Sequence, residues 1–105
     1  MRARAREIDV AKNLKMIDWL KAEMVDAVAE LFKSLLLKSS EAVCDALATI
    51  IILAYILGQK VGVSFAAVDT KIKNKLHISL DDSLGGEEWL GNLSELLGYL
   101  EKTKR

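Results

Sequence analysis

Apolar residues recur at intervals of three and four through most of the chain, and Val10, Leu14, Ile17, Leu20, Met24, Val28, Leu31 and Leu35 form the first such series. That spacing is the period of an α-helix with one apolar stripe. It predicts a first helix over about residues 8–37, and a break in it, if there is one, falls near Asn13 or Asp18. Lys38, Ser39 and Ser40 interrupt the pattern, and either serine can cap a second helix beginning at Glu41. So short a link favours antiparallel neighbours, which brings Asp26 and Glu30 of the first helix towards Glu41 and Asp45 of the second.

The second helix differs in kind. Residues 46–57, ALATIIILAYIL, carry no charge, and a helix that is apolar all round is normally buried. Asp45 then stands at the edge of the interior, where a carboxylate must lose its charge, find a partner or hold a cation. The helix is expected to end near Val61, with Gly62 as its left-handed stop and Gly58 inside it.

Ser64 can cap a third helix with Phe65, Val68, Ile72 and Leu76 on one face and Lys71 and Lys75 on the adjacent one. Residues 77–86, which include Asp81, Asp82, Ser83, Gly85 and Gly86, read as a loop. From Glu87 the period resumes through Trp89, Leu93, Leu96, Leu97 and Leu100, as expected of a packing or dimer element. The absence of proline and the scarcity of strand-like alternation complete an all-α reading. It divides the chain into a basic flexible arm (1–7), a helical core (8–80), and a loop with a C-terminal packing helix (81–105).

A chain of 105 residues is one domain, too small to cover a fully apolar helix within a single subunit, so self-association is expected. Fifteen basic residues balance fifteen acidic ones, which gives no footprint for nucleic acid. Cys44 is the only cysteine; it rules out an intrachain disulfide and suits a reducing, cytoplasmic compartment. The uncharged run falls short of the roughly 20 residues that cross a bilayer, so no membrane partner is expected. After MRARAR, the residues Glu7, Asp9 and Lys12 stand where a secretory signal needs its apolar stretch. His77 has no second histidine or cysteine near it, which argues against a transition-metal site. Neither a nucleophile elbow nor a glycine-rich phosphate loop is present.

The chemistry therefore rests on carboxylates. Asp26 with Glu30, and Glu41 with Asp45, each have the spacing that puts both side chains on one helix face. Oxygen donors facing one another suit magnesium, which commonly bridges carboxylates to substrate phosphates, and metal-assisted attack of water on a phosphate chain is the matching reaction. The plainer alternative is that Glu23, Asp26 and Glu30 form a solvated face. Glu41 and Asp45 would then merely complement the helix dipole, an effect of about 0.3 to 1 kcal/mol. Lys71, Lys73 and Lys75 could meet phosphate oxygens or simply be wet surface.

The stretch from DAVAEL (residues 26–31) through EAVCD (residues 41–45) to the apolar run and Gly62 resembles the MazG-like branch of the all-α nucleoside triphosphate pyrophosphohydrolases. In that family a helix with an EExxEL-type motif precedes one with EExxD. The resemblance covers Ile17 to about Leu76. It implies a helical bundle completed as a dimer or tetramer, with magnesium held by acidic side chains and NTP cleaved to NMP and pyrophosphate. Carried over by position, Glu30 and Asp45 are the metal ligands, Asp26 and Glu41 the outer acids, and Lys71 or Lys75 the phosphate contacts. The chain departs from the motif at Ala27 and Ala42, where the inner glutamates should stand, and its spacer is shorter. Magnesium binding then requires Asp26 and Glu41 to swing in, or Glu23 to substitute. Three expectations follow: a divergent pyrophosphohydrolase, a catalytically inactive relative kept for assembly or nucleotide binding, or a purely structural helical partner.

Overall fold

A computed structural model describes residues 2–81 and 86–103, with side chains within 9–78 and 86–103. Among these residues the chain forms four helices and no strand: α1 (Arg2–Leu37), α2 (Ser40–Lys60), α3 (Phe65–Asp81) and α4 (Gly86–Thr103). The all-α expectation holds. Two compact units are present, residues 1–65 and 66–105.

In the first unit α1 runs unbroken for 36 residues. The backbone is already helical at Arg2, where a frayed arm was expected; alanine and arginine are both strong helix formers. No break occurs at Asn13 or Asp18. Asn13 instead turns its side chain to α2 and donates from Nδ2 to the Lys60 carbonyl at 3.0 Å.

The link between the helices is Lys38 and Ser39, with Lys38 in the left-handed region at φ 55°. Ser39 caps α2 by accepting a hydrogen bond from the Ala42 N–H at 3.3 Å. At the other end Gly62, at φ 89°, donates to the Gln59 carbonyl at 3.2 Å, and Val63 donates to Gly58 at 2.8 Å. These are the two bonds of a Schellman stop, and they require the left-handed backbone that glycine adopts without strain.

The packing seam between α1 and α2 is narrow. Leu20, Ala27 and Ser34 of α1 and Ala46 of α2 are buried, with Ile17, Met24, Val28 and Leu31 half-buried around them. The apolar stripe expected on α1 is thus covered in its middle but open at its ends: Val10, Leu14 and Leu35 are more than half exposed. Antiparallel pairing sets Asn13 against the last residue of α2, so Val10 lies beyond the end of its partner.

Within this one chain α2 is not covered on all sides, and Ile51 and Ile52 are 56% and 59% exposed. One neighbouring helix can cover only one side of α2. By length and composition α2 is apolar enough to cross a membrane.

In the second unit Leu76 of α3 and Leu93 of α4 are buried. α3 continues through residues 77–81, which the sequence reading assigned to a loop, so His77 lies inside a helix. Leu76 and Leu80, one turn apart, extend the apolar period past His77, and no glycine interrupts it before Gly85. Residues 82–85 of that expected loop lie outside the described residues. α4 begins at Gly86, with Glu87 and Glu88 in its first turn and Lys102 in its last, each placed favourably for the helix dipole.

Candidate functional site: an acidic cleft between the first two helices

One flank of the α1–α2 pair opens into a cleft of about 260 Å³. α1 lines it with Glu23, Asp26, Ala27, Glu30 and Ser34, which recur at three and four residues and so share one face. α2 contributes Ala42, Asp45, Ala46 and Thr49 at the same period. Ala27 and Ala46, 6% and 5% exposed, lie at the buried seam, where small side chains let the two backbones approach. The carboxylates stand above them.

Two hydroxyls complete the lining. Ser34 Oγ donates to the Glu30 carbonyl at 2.8 Å, and Thr49 Oγ1 donates to the Asp45 carbonyl at 2.9 Å. Each hydroxyl thus follows an acidic residue by one turn and spends its proton on that residue's backbone, leaving only oxygen acceptors available to the cleft. Sequence reasoning missed both. The signal was the extension of each acidic pair by one further polar residue at the helical period.

The lining holds four carboxylates and no lysine or arginine. Asp26, Glu30 and Asp45 are exposed, whereas Glu23 is half-buried. Lys33 Nζ approaches Glu30 Oε1 at 3.7 Å, but both side chains are about two-thirds exposed (70% and 66%), so the pair is worth at most about 1 kcal/mol.

An anion alone is repelled by such a wall, while a hard cation is attracted. The all-oxygen donor set suits magnesium. Among the described residues, however, no three acidic, histidine or cysteine side chains are grouped to hold one ion. The cleft is therefore not a closed protein cage for an ion, and any cation there would draw most of its ligands from water or substrate.

Of the acids singled out in the sequence, the structure brings Asp26, Glu30 and Asp45 together on this cleft. Glu41, in the first turn of α2, is exposed and does not line it. Asp45 is exposed too, which corrects its expected place at the edge of an interior: it projects from the flank of α2 that α1 leaves open. Lys71 and Lys75 are exposed on α3, in the second unit.

Fold and cleft together define an all-helical protein with acidic side chains from two successive helices on one interhelical site. The chain belongs to the MazG-like family, whose family model matches residues 10–93 and so runs from α1 into α4. That membership relates it to nucleotide pyrophosphohydrolases. Comparison with curated proteins and with solved structures gave no match.

Proposed function

We propose that the chain is a divergent nucleoside triphosphate pyrophosphohydrolase that takes its substrate as a divalent-cation complex and releases NMP and pyrophosphate. One observation carries the reading: Asp26 and Glu30 from α1 and Asp45 from α2 line a single cleft that contains no basic side chain. A polyphosphate can approach these walls only when its charge is offset, and the carboxylates provide the outer anchor for the ion that offsets it. A bound magnesium ion would supply charge neutralisation at the phosphate oxygens and orientation for the attacking water. Asp26, Glu30 and Asp45 hold and orient the complex. Water adds at the α phosphorus, the α–β bridging bond breaks, and pyrophosphate leaves.

The proposal places the protein in water, as a self-associating cytoplasmic species. α1 lies against α2 and carries Lys21, Glu23, Asp26, Glu30 and Lys33, charges that a bilayer around α2 would have to accept. The exposed apolar surface of α2 is then covered by association, consistent with the dimer or tetramer that the family resemblance implies.

A second reading, a catalytically silent relative that keeps the bundle for assembly or nucleotide binding, is favoured by Ala27 and Ala42, which line the cleft where the motif calls for acids. Pyrophosphate release from a panel of NTPs with magnesium separates the two. Under the enzymatic reading Asp45→Asn and Glu30→Gln each abolish release. Absence of release from every NTP, with a magnesium–nucleotide complex still raising the melting temperature, selects the silent relative.

A further inference from the structure

We infer that the open face of α4 pairs with the α4 of a second copy of this chain, antiparallel across a two-fold axis, with Glu88 of each copy beside Lys102 of the other. The inference concerns how copies meet, and it stands whether or not the cleft is catalytic.

α4 carries two apolar stripes where a helix covered on one side needs only one. Leu93 is buried, and Leu90, Leu97 and Leu100 are half-buried around it, so this stripe is already covered. The other stripe is Trp89, Asn92, Leu96 and Tyr99, spaced by three, four and three residues. It is open: Trp89, Leu96 and Tyr99 are 51%, 45% and 63% exposed, and Asn92 is exposed between them. Alternating steps of three and four are the pattern by which two helices pack side by side, and an aromatic residue at each end of the stripe is the composition of an interface.

Charge decides the occupant and its direction. Glu88, Glu95 and Lys102 flank the open stripe on one side at seven-residue intervals, and all three are exposed. None has an opposite charge three or four residues away on its own helix, and among the described residues none forms an ion pair. In parallel pairing this row would lie against the opposite flank of the second helix, which is Leu93 and Leu100, and the acids of both copies would gather at one end. Antiparallel pairing sets the row against itself in reverse order. Glu88 then meets Lys102 at both ends, Glu95 meets its own copy at the axis, and Trp89 packs against Tyr99. The two helix dipoles also oppose each other favourably. A row that is complementary to its own reverse selects a second copy of the chain over an unrelated partner.

The test uses the full chain, with the concentration at which the assembly dissociates read by sedimentation velocity and helical circular dichroism confirming that each variant is folded. Glu88→Lys and Lys102→Glu should each raise that concentration by about tenfold: an exposed pair is weak, but reversal turns attraction into repulsion at two symmetric places. The double variant Glu88→Lys/Lys102→Glu should return to within about twofold of the wild type, because a pairwise interaction is restored when both partners are exchanged. An effect of the two charges on the α4 dipole alone would add in the double variant instead of cancelling. Glu95→Gln, which removes the like-charge contact at the axis, should associate more tightly than the wild type. In a Cys44→Ser background, a short bismaleimide should join Glu88→Cys to Lys102→Cys in a mixture and should join neither variant to itself. Unchanged association in both single reversals, additive losses in the double variant, or a wild-type chain that stays monomeric overturns the proposal, the last assigning the stripe to cover within the chain. Linking of Glu88→Cys to itself also overturns it, in favour of parallel pairing.

Discussion

The side-chain amide of Asn13 donates to the backbone carbonyl of Lys60 at 3.0 Å, and with that bond the last four carbonyls of α2 are all satisfied. Leu57 and Gly58 accept from Val61, Gly58 accepts also from Val63, and Gln59 accepts from Gly62. The final turn of a helix has no intrahelical donors for these groups, so Asn13 both completes the cap and sets the register of α1 on α2. Asn13→Ala is expected to lower stability by about 1 kcal/mol. A urea midpoint that does not move would show that water replaces the amide without loss.

Gly62 ends the same helix through its backbone alone. Its φ of 89° is costly for any residue with a Cβ, yet a Cβ built there would meet nothing within 4 Å. Gly62→Ala should therefore cost about 1 to 2 kcal/mol purely as conformational strain. Chemical denaturation of the variant measures this, and equal stability would mean that the turn relaxes to another conformation.

The two alanines that replace motif acids are not equivalent. Ala27 is buried at the seam, so Ala27→Glu places a charge in a closed contact and should destabilise the chain by about 3 kcal/mol or more. Ala42 is half-buried at the third position of α2, three residues after the Ser39 cap, where a glutamate completes a capping box. Ala42→Glu should stay within about 1 kcal/mol of the parent. Reversal of that order in thermal unfolding would contradict the packing described at Ala27.

Under the proposed function, pyrophosphate release should vanish when EDTA removes divalent cations and return when magnesium is restored. Release that persists in EDTA would show that the acids of the cleft do not act through a cation.

Self-association is expected to depend on α4 more than on the cleft. α4 leaves Trp89, Leu96 and Tyr99 about half exposed or more, whereas the acids of the cleft are polar and hydrated. A chain ending before Gly86 should elute as a smaller assembly than Asp45→Asn on sizing chromatography. Equal assembly size for the two would assign association to other surfaces.

Much of the framework was legible in the residues. Ser39 and Gly62 mark the ends of α2 by local chemistry, a side-chain acceptor at one and a left-handed backbone at the other, and such signals need no tertiary partner to be read. The stop of α3 was misplaced because Asp81 and Asp82 suggest a turn, while the apolar period through Leu76 and Leu80 carries the helix on to Asp81. On the candidate site, the spacing of Asp26, Glu30 and Asp45 was enough to place them on faces that could meet. It was not enough to exclude Glu41, nor to find Ser34 and Thr49.

By itself, then, the amino-acid order determined four helices, their caps, the antiparallel turn at Lys38 and Ser39, and a set of acids on facing sides of two of them. These follow from interactions within a few residues of one another. Only the tertiary structure decided which acids share the cleft, because that depends on the rotation of α1 and α2 about their own axes once Ala27 and Ala46 bring the backbones together. The same rotation leaves Asp45 in water, carries Glu23 into the lining and turns Glu41 away from it.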